Sequence, residues 1–342
     1  MNKGARENIV YVLIFLAFLA VGLFISKDSI PNQEGYFELG WKISHIDFGG
    51  ILKNAAITPL NFLVAVIIER LFHISVASSW KLMDLTFSAL LGTFLAYLYG
   101  KRHRSNTFMP KILSAIVIIT SVGYIYSFTS MSGEGMPLFF AATGLYFWQK
   151  KSFVPATLLF ILSFLSKFTI YLVAPGIFIW TILNIRYFSR KNLMQLFVMS
   201  IFFASIFIVY HSSKNWADIK LQSLYINNFS PWIILNNIPP YFLALLLGAP
   251  LVVIFTFLNP SVRNLYFTAA VSAGIMLLRR YFYWNHPQQI IVFMMLYFFT
   301  DSKAKIFLQK KYVFLQLIFR RVSLHCYLSK QRTMNFSINT LL

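Results

Sequence analysis

The chain has 342 residues, of which 58% are hydrophobic, 18% aromatic and only 12% charged, and its formal net charge is +20. A soluble domain carries about a quarter charged residues, so this composition excludes an ordinary water-soluble fold and indicates repeated membrane-spanning helices. The positive charge does not indicate nucleic-acid binding, because the aromatic residues are mostly phenylalanines inside apolar runs and are not interleaved with arginine.

Apolar runs recur along positions 1–302. The first run, at 8–26, is long for a signal peptide and lacks a small-residue cleavage site, so we interpret it as an uncleaved span. We predict an all-α, polytopic membrane helix bundle of about ten spans, with a range of roughly nine to twelve. The predicted spans are 8–26, 79–99, 111–128, 137–149, 153–166, 168–185, 193–210, 240–258, 265–278 and 287–299.

The connection between the first two predicted spans contains a further apolar helix, at 57–74. If this helix crossed the membrane, the basic sequence KRHR at 101–104 would face outside. If it lies along the outer surface, 20 of the 30 cations fall on cytoplasmic segments and 8 of the 10 acids on external ones. We therefore predict interfacial helices in the first external loop. The predicted external segments are 27–78 and 213–239, and the predicted cytoplasmic segments include 101–110 and 303–342.

The pattern divides the chain into a transmembrane domain, 1–302, and a basic cytoplasmic tail, 303–342. Cations flank the apolar residues of the tail, which suits an amphipathic helix on the membrane surface. An eleventh span is the alternative interpretation.

Acidic residues are concentrated in the first external loop. Glu34, Glu38 and Asp47 lie within the sequence PNQEGYFELGWKISHIDFGG. A carboxylate at such a place can accept a proton from an attacking hydroxyl, or hold a divalent cation beside a phosphate. The alternative is a solvated loop that is acidic without a function.

Charged residues also stand at the boundaries of later apolar runs. Glu134 lies between two glycines, where it either favours a helix start through the helix dipole or faces the same external cavity as Glu34. Lys167 separates two apolar runs, so it either binds a phosphate or extends to the membrane surface. Arg279 and Arg280 lie at an outer boundary that has few other cations, and arginine is suited to bidentate phosphate recognition.

The order of these motifs resembles the GT-C superfamily, the integral-membrane glycosyltransferases that use polyprenyl-phosphate-linked sugars. The resemblance covers roughly residues 8–300. The matching positions are Glu34 and Tyr36 in the first-loop acidic motif, Pro59 and Leu60 in a PPL-like helix, Glu134 as a recurring external acid, Lys167 and Pro175 in an LtK…P pair of spans, and Arg279, Arg280, Tyr281 and Pro287 in an RY…P region.

The chain departs from this family pattern in its first motif. Gln33 precedes Glu34 where many members carry paired acids, and TPL replaces PPL. The choice of catalytic acid among Glu34, Glu38 and Asp47 therefore stays open, with Glu34 as the first choice and Asp47 as the second.

The resemblance implies an inverting glycosyltransferase that acts on the external or lumenal face of the plasma membrane, or of the endoplasmic reticulum in a eukaryote. The donor would be a polyprenyl-phosphate sugar and the acceptor a glycan, a lipid or a protein, with membrane lipids around the chain and no nucleic acid. A divalent cation, Mg²⁺ or Mn²⁺, would have Asp47 as its candidate ligand. The implied substrate-binding residues are Tyr36, Glu38, Glu134, Lys167, Arg279, Arg280 and Tyr281.

Other functional classes also fit the sequence. A lipid-linked glycan polymerase or a flippase-like protein would handle the same lipids without this catalytic acid. A small-solute transporter would use Lys167 and Glu134 as contacts inside the membrane. A structural subunit with a degenerate site is a further alternative.

Overall fold

The computed structural model describes residues 3–26, 59–103, 108–121, 133–167, 169–212, 231–278 and 285–308, together with residue 313. All regular structure in these ranges is helical, which confirms the predicted all-α class. The helices are α1 (Lys3–Ile25), α2 (Pro59–Phe72), α3 (Val76–His103), α4 (Phe108–Thr120), α5 (Gly135–Gln149), α6 (Phe153–Ser166), α7 (Ile170–Asn184), a 3₁₀ turn (Ile185–Tyr187), α8 (Arg190–Ser212), α9 (Pro231–Gly248), α10 (Pro250–Leu258), α11 (Leu265–Leu278), α12 (Asn285–Thr300) and α13 (Ala304–Phe307).

Several of these helices are long and apolar enough to cross a membrane. Four single helices meet both criteria, over Asn8–Ile25, Ala77–Arg102, Ile170–Tyr187 and Arg190–Tyr210. A fifth candidate is the pair α9 and α10, which are bent by 115° relative to each other. The sequence predicted one continuous span at 240–258, but α9 ends at Gly248 and Pro250 starts a new helix, a first-turn position that suits proline because no intrahelical partner is needed there.

The remaining predicted spans coincide with shorter helices. The helices α4, α5, α6, α11 and α12 contain 13 to 16 residues. Such helices are about 20–24 Å long, whereas the hydrocarbon core of a bilayer is about 30 Å thick. Each of the ten predicted spans thus falls on a described helix or helix pair, and about half of them meet the length criterion.

The first half of the bundle is built from helices that alternate in direction. The ammonium of Lys81, near the start of α3, donates to the carbonyl of Ser26 after the end of α1. At the other end of the same pair, the rings of Tyr11 and Tyr97 lie 5.6 Å apart. Helices α1 and α3 are therefore antiparallel.

Helices α5 and α6 continue this alternation. The start of α6 meets the end of α5, where the rings of Trp148 and Phe153 are 4.9 Å apart. One turn before the end of α6, the Ser163 hydroxyl donates to the carbonyl of Pro137 at the start of α5, at 2.9 Å. The two helices therefore form a tight antiparallel hairpin.

Helices α7 and α11, in the second half of the bundle, are also antiparallel to each other. Trp180 Nε1 near the end of α7 donates to the carbonyl of Arg263 just before α11, at 2.9 Å. The Ser272 hydroxyl of α11 donates to the carbonyl of Leu172 near the start of α7, at 2.7 Å. Helix α12 lies in the centre, packed against α3, α5, α9, α10 and α11.

This alternation gives the bundle two chemically distinct ends. We call one the basic end; it carries Lys101, Lys111, Lys150, Lys151, Arg186, Arg190 and Arg263. We call the other the acidic end; it carries Asp84, Glu134, Lys81 and Lys167. The cations named for the basic end, which the sequence assigned to one side of a membrane, thus lie at one end of the described bundle.

Helix α2 lies near the acidic end. The rings of Phe62 and Trp80 are 5.0 Å apart, and Asn61 Nδ2 donates to the carbonyl of Gly133 at 3.2 Å. Residues 73–75 connect α2 directly to the start of α3. Both termini of α2 are therefore close to the first turns of α3.

Of the predicted basic tail, only 303–308 and residue 313 belong to the described residues. They include the single helical turn of α13.

Candidate functional site at the acidic end

The two glycines on either side of Glu134 are required by the local backbone and packing. Gly133 has φ of +70°, a left-handed conformation that glycine adopts without steric cost. At Gly135, a Cβ atom would lie 2.6 Å from both the carbonyl oxygen of Asp84 and the hydroxyl of Ser88. Glycine thus lets the start of α5 approach α3 closely, and this approach places Glu134 inside the bundle.

The carboxylate of Asp84 caps the start of α5 from a neighbouring helix. Its Oδ1 accepts a hydrogen bond from the Gly135 amide at 2.7 Å, and its Oδ2 accepts one from the Gly133 amide at 3.3 Å. The first amides of a helix have no partner within it, and a carboxylate is a favourable one. Asp84 is 1% exposed, so this cap is an internal part of the bundle.

Glu134 and Lys167 form an ion pair at the acidic end. Glu134 occupies the N-cap position of α5, but its side chain makes no capping hydrogen bond. Its Oε1 instead accepts from the ammonium of Lys167, the residue that follows α6. The carboxylate side chain is 0% exposed and the lysine side chain 31% exposed, so the acid lies inside and the ammonium lies at the opening.

Two further oxygen atoms in this region are buried. Within the described part of the chain, neither Oε2 of Glu134 nor Oδ1 of Asn61 has a hydrogen-bond partner. Asn61 is 1% exposed, and its amide nitrogen is bound to the carbonyl of Gly133. The site therefore contains two carboxylates and one ammonium, with buried acceptor capacity left over, an arrangement that suits the exchange of a proton or of an ionic partner.

The geometry changes the interpretation of both described candidate residues. The sequence left open whether Glu134 favours the start of a helix, and Asp84 carries out that capping instead. For Lys167, the sequence left open whether it binds a phosphate or extends to the membrane surface, and in the structure its ammonium is paired with Glu134. The two residues are 33 positions apart, and the α5–α6 hairpin brings them together.

Asp84 is the site residue that sequence reasoning missed. It was counted as one of the external acids, although it lies inside the apolar helix α3. An acidic residue within a membrane span is costly and is usually paired, so its position was itself a signal. Its partners could not be inferred, because they are backbone amides of a glycine segment about 50 residues away.

The other candidate residues lie outside the described ranges: Glu34, Tyr36, Glu38, Asp47, Arg279, Arg280 and Tyr281. Their described flanks, however, are at the acidic end. Ser26 precedes the segment 27–58 and contacts Lys81, and Asn61 follows it and contacts Gly133.

Leu278 precedes the segment with the two arginines. Because Ser272 pairs with Leu172 in the antiparallel α7 and α11, Leu278 lies about 9 Å further towards the acidic end. Its carbonyl accepts from Asn237 Nδ2 at 3.0 Å. Ser26, Asn61 and Leu278, which flank the candidate segments, thus all lie at the acidic end of the bundle.

Among the described residues, no group of three or more histidine, cysteine, aspartate or glutamate side chains could hold a metal ion. The candidate cation ligand Asp47 is not among them.

Comparison with known proteins identifies no relative: no protein-family profile, no curated protein and no solved structure matches the chain.

Proposed function

We propose that the chain is an integral-membrane glycosyltransferase of the GT-C type. It transfers a sugar from a polyprenyl-phosphate donor to a glycan, lipid or protein acceptor. The reaction takes place at the acidic end of the bundle, which faces the exterior or a lumen. The basic end then faces the cytoplasm, as the distribution of lysine and arginine favours.

The observation that carries this proposal is the convergence of chain segments on the acidic end. The ion pair of Glu134 and Lys167 lies there, and so do the described flanks of 27–58 and 279–284. Those two segments contain every other site residue that the sequence predicted. A transferase needs its base and its phosphate-binding cations close together, and this topology supports such a meeting.

The proposed architecture has ten crossings. In addition to the four single helices and the bent pair, the five shorter helices cross, which requires local thinning of the bilayer or flanking residues that extend to its surface. Helix α2 lies along the outer surface. The contacts of both its termini with the start of α3 and its neighbourhood support this placement.

In the proposed mechanism, Glu34 deprotonates the acceptor hydroxyl, with Asp47 as the second choice. Lys167 and one of Arg279 and Arg280 stabilise the negative charge of the phosphate leaving group. Tyr36, Glu38 and Tyr281 contact the substrates. Asp47 would hold a divalent cation, which would supply positive charge to stabilise the phosphate.

A transfer assay with a panel of radiolabelled polyprenyl-phosphate sugars tests this function. We expect Glu34→Gln to abolish transfer, since loss of a general base costs about 100- to 10,000-fold in rate. The matched control is Asp301→Asn at the basic end, where Asp301 accepts from the amide of Lys303, and it should retain activity. If Glu34→Gln and Asp47→Asn both retain full activity, the mechanism is wrong.

The bend between α9 and α10 favours one alternative, a small-solute transporter. Broken helices often line substrate sites near the middle of transporters. The described residues of this pair contain no lysine, arginine, aspartate or glutamate, whereas the charged residues of the candidate site lie at the acidic end. Uptake of a radiolabelled sugar or amino acid into proteoliposomes, without any transfer activity, would support the transporter instead.

A further inference from the structure

The ion pair of Glu134 and Lys167 is accessible from one side only. The side chain of Glu134 is 0% exposed, whereas that of Lys167 is 31% exposed. An anion that enters the acidic end can therefore contact the ammonium but cannot contact the carboxylate.

We propose that an anionic phosphodiester binds by replacing Glu134 as the partner of Lys167, and that Glu134 takes up one proton in the same step. The inference rests on the proposed function, because it concerns the phosphate group of the donor. It adds that donor binding at this site is coupled to a proton.

The reason is the balance of charge in a buried place. When Lys167 turns to the phosphate, the carboxylate of Glu134 remains inside the bundle without its counter-ion. A buried, unpaired charge is strongly destabilised, and such a group is usually neutralised by a proton. The ammonium and the phosphate neutralise each other, and the proton neutralises the carboxylate.

The charged groups around Glu134 strengthen this requirement. From α3, Asp84 contributes a second carboxylate, whose oxygens already accept from the amides of Gly133 and Gly135. From α6, the charged neighbour is Lys167. Lys81 of α3 donates to the carbonyl of Ser26.

The two remaining helices that pack against α5 bring no compensating cation. Helices α11 and α12 contain no aspartate, glutamate, lysine or arginine, and α12 has one histidine, in its first turn. Within the described residues, no other cation is placed beside Glu134 when the ammonium leaves it, and the arginine of the proposed mechanism, like Lys167, binds the phosphate.

The coupling predicts the direction in which the binding affinity changes with pH. Because the complex holds one proton more than the free protein, binding becomes tighter as the pH falls, by about tenfold per pH unit when the uptake is obligatory. After the donor leaves, Lys167 returns to Glu134 and the proton is released.

Calorimetry on the full chain in detergent tests the proposal, with geranyl methyl phosphodiester as the probe. A diester is chosen because it keeps a single negative charge, whereas a phosphate monoester itself titrates near pH 6. Titrations in buffers with different heats of ionisation give the number of protons taken up. We expect about one proton for the unmodified chain and an affinity that rises, by at most about tenfold per unit, as the pH is lowered.

Two variants and a control accompany this measurement. Glu134→Gln should bind the probe without proton uptake and without pH dependence, and Lys167→Met should lose binding. Lys151→Met at the basic end, where the ammonium contacts the Tyr187 carbonyl at 2.7 Å, should behave as the unmodified chain.

The outcomes separate the two proposals. If the unmodified chain binds the probe with no proton uptake, the coupling is wrong while the phosphate site stands. If it does not bind the probe, or if Lys167→Met binds equally well, the phosphate site and the coupling are both wrong. The measurement on the unmodified chain decides the matter even where a variant fails to fold.

Discussion

At the scale of single residues, the candidate site depends on glycines as much as on charged groups. Gly135 permits the contact between α5 and α3, and this contact brings its amide to Asp84. Sequence reasoning identified Glu134 and Lys167, because charged residues beside apolar runs are conspicuous. It could not identify their pairing, because that depends on how the α5–α6 hairpin closes.

A pair of glycine variants tests the close contact. Gly135→Ala should destabilise the protein by about 1–3 kcal/mol, because the added Cβ would overlap α3. Gly274→Ala in α11 is the matched control, since no atom lies within 4 Å of the position of its Cβ. Alanine there should be neutral or stabilising by up to about 1 kcal/mol. Thermal unfolding in detergent measures both, and equal stability of the two variants would contradict the packing described for Gly135.

At the scale of elements, helix α8 is attached to the bundle mainly through aromatic rings. Phe164 of α6 lies 4.9 Å from Tyr210 and 5.9 Å from Phe207, both on α8. It also lies 5.7 Å from Tyr171 of α7. Most other residues of α8 are exposed, so these rings account for much of its attachment within the described chain.

Removing the central ring should therefore loosen α8. Phe164 is 0% exposed, and we expect Phe164→Ala to destabilise the protein by roughly 3 kcal/mol, through the loss of packing around the cavity. Phe178→Ala is the control, because Phe178 on α7 is 66% exposed. Unfolding by increasing fractions of a denaturing detergent compares the two. Similar midpoints would show that the aromatic cluster does not hold α8.

The elements also show which sequence signals are reliable. Each span predicted from an apolar run overlaps a described helix or helix pair, because a long run of apolar residues is a strong signal for a helix. The bend between α9 and α10 was missed at Pro250, since a proline within an apolar run can either kink a helix or start a new one. The short length of α6 was visible in the sequence, since its span was predicted at 153–166, whereas the span at 111–128 was predicted longer than the described helix α4, and the packing of neither could be inferred.

At the scale of the whole molecule, the segregation of charge predicts an orientation. Impermeant maleimide labelling of single cysteines, in a Cys326→Ser background, measures it. We expect Phe72→Cys, at the 63% exposed end of α2, to react from outside intact cells. We expect Arg186→Cys, at the basic end, to react only after permeabilisation, because cations favour the cytoplasmic face. The reverse pattern would invert the proposed topology and exclude an external site at Glu134.

The central position of α12 has a consequence for biosynthesis. Ten consecutive side chains, 290–299, are each at most 7% exposed, so this helix presents no face to lipid. It is also the last long helix described, and it emerges from the ribosome after α3, α5, α10 and α11, which surround it. Those helices are therefore synthesised before the helix that fills the space between them. We expect a chain arrested before residue 285 to lack this central packing and therefore to be cleaved faster in limited proteolysis than the 342-residue chain.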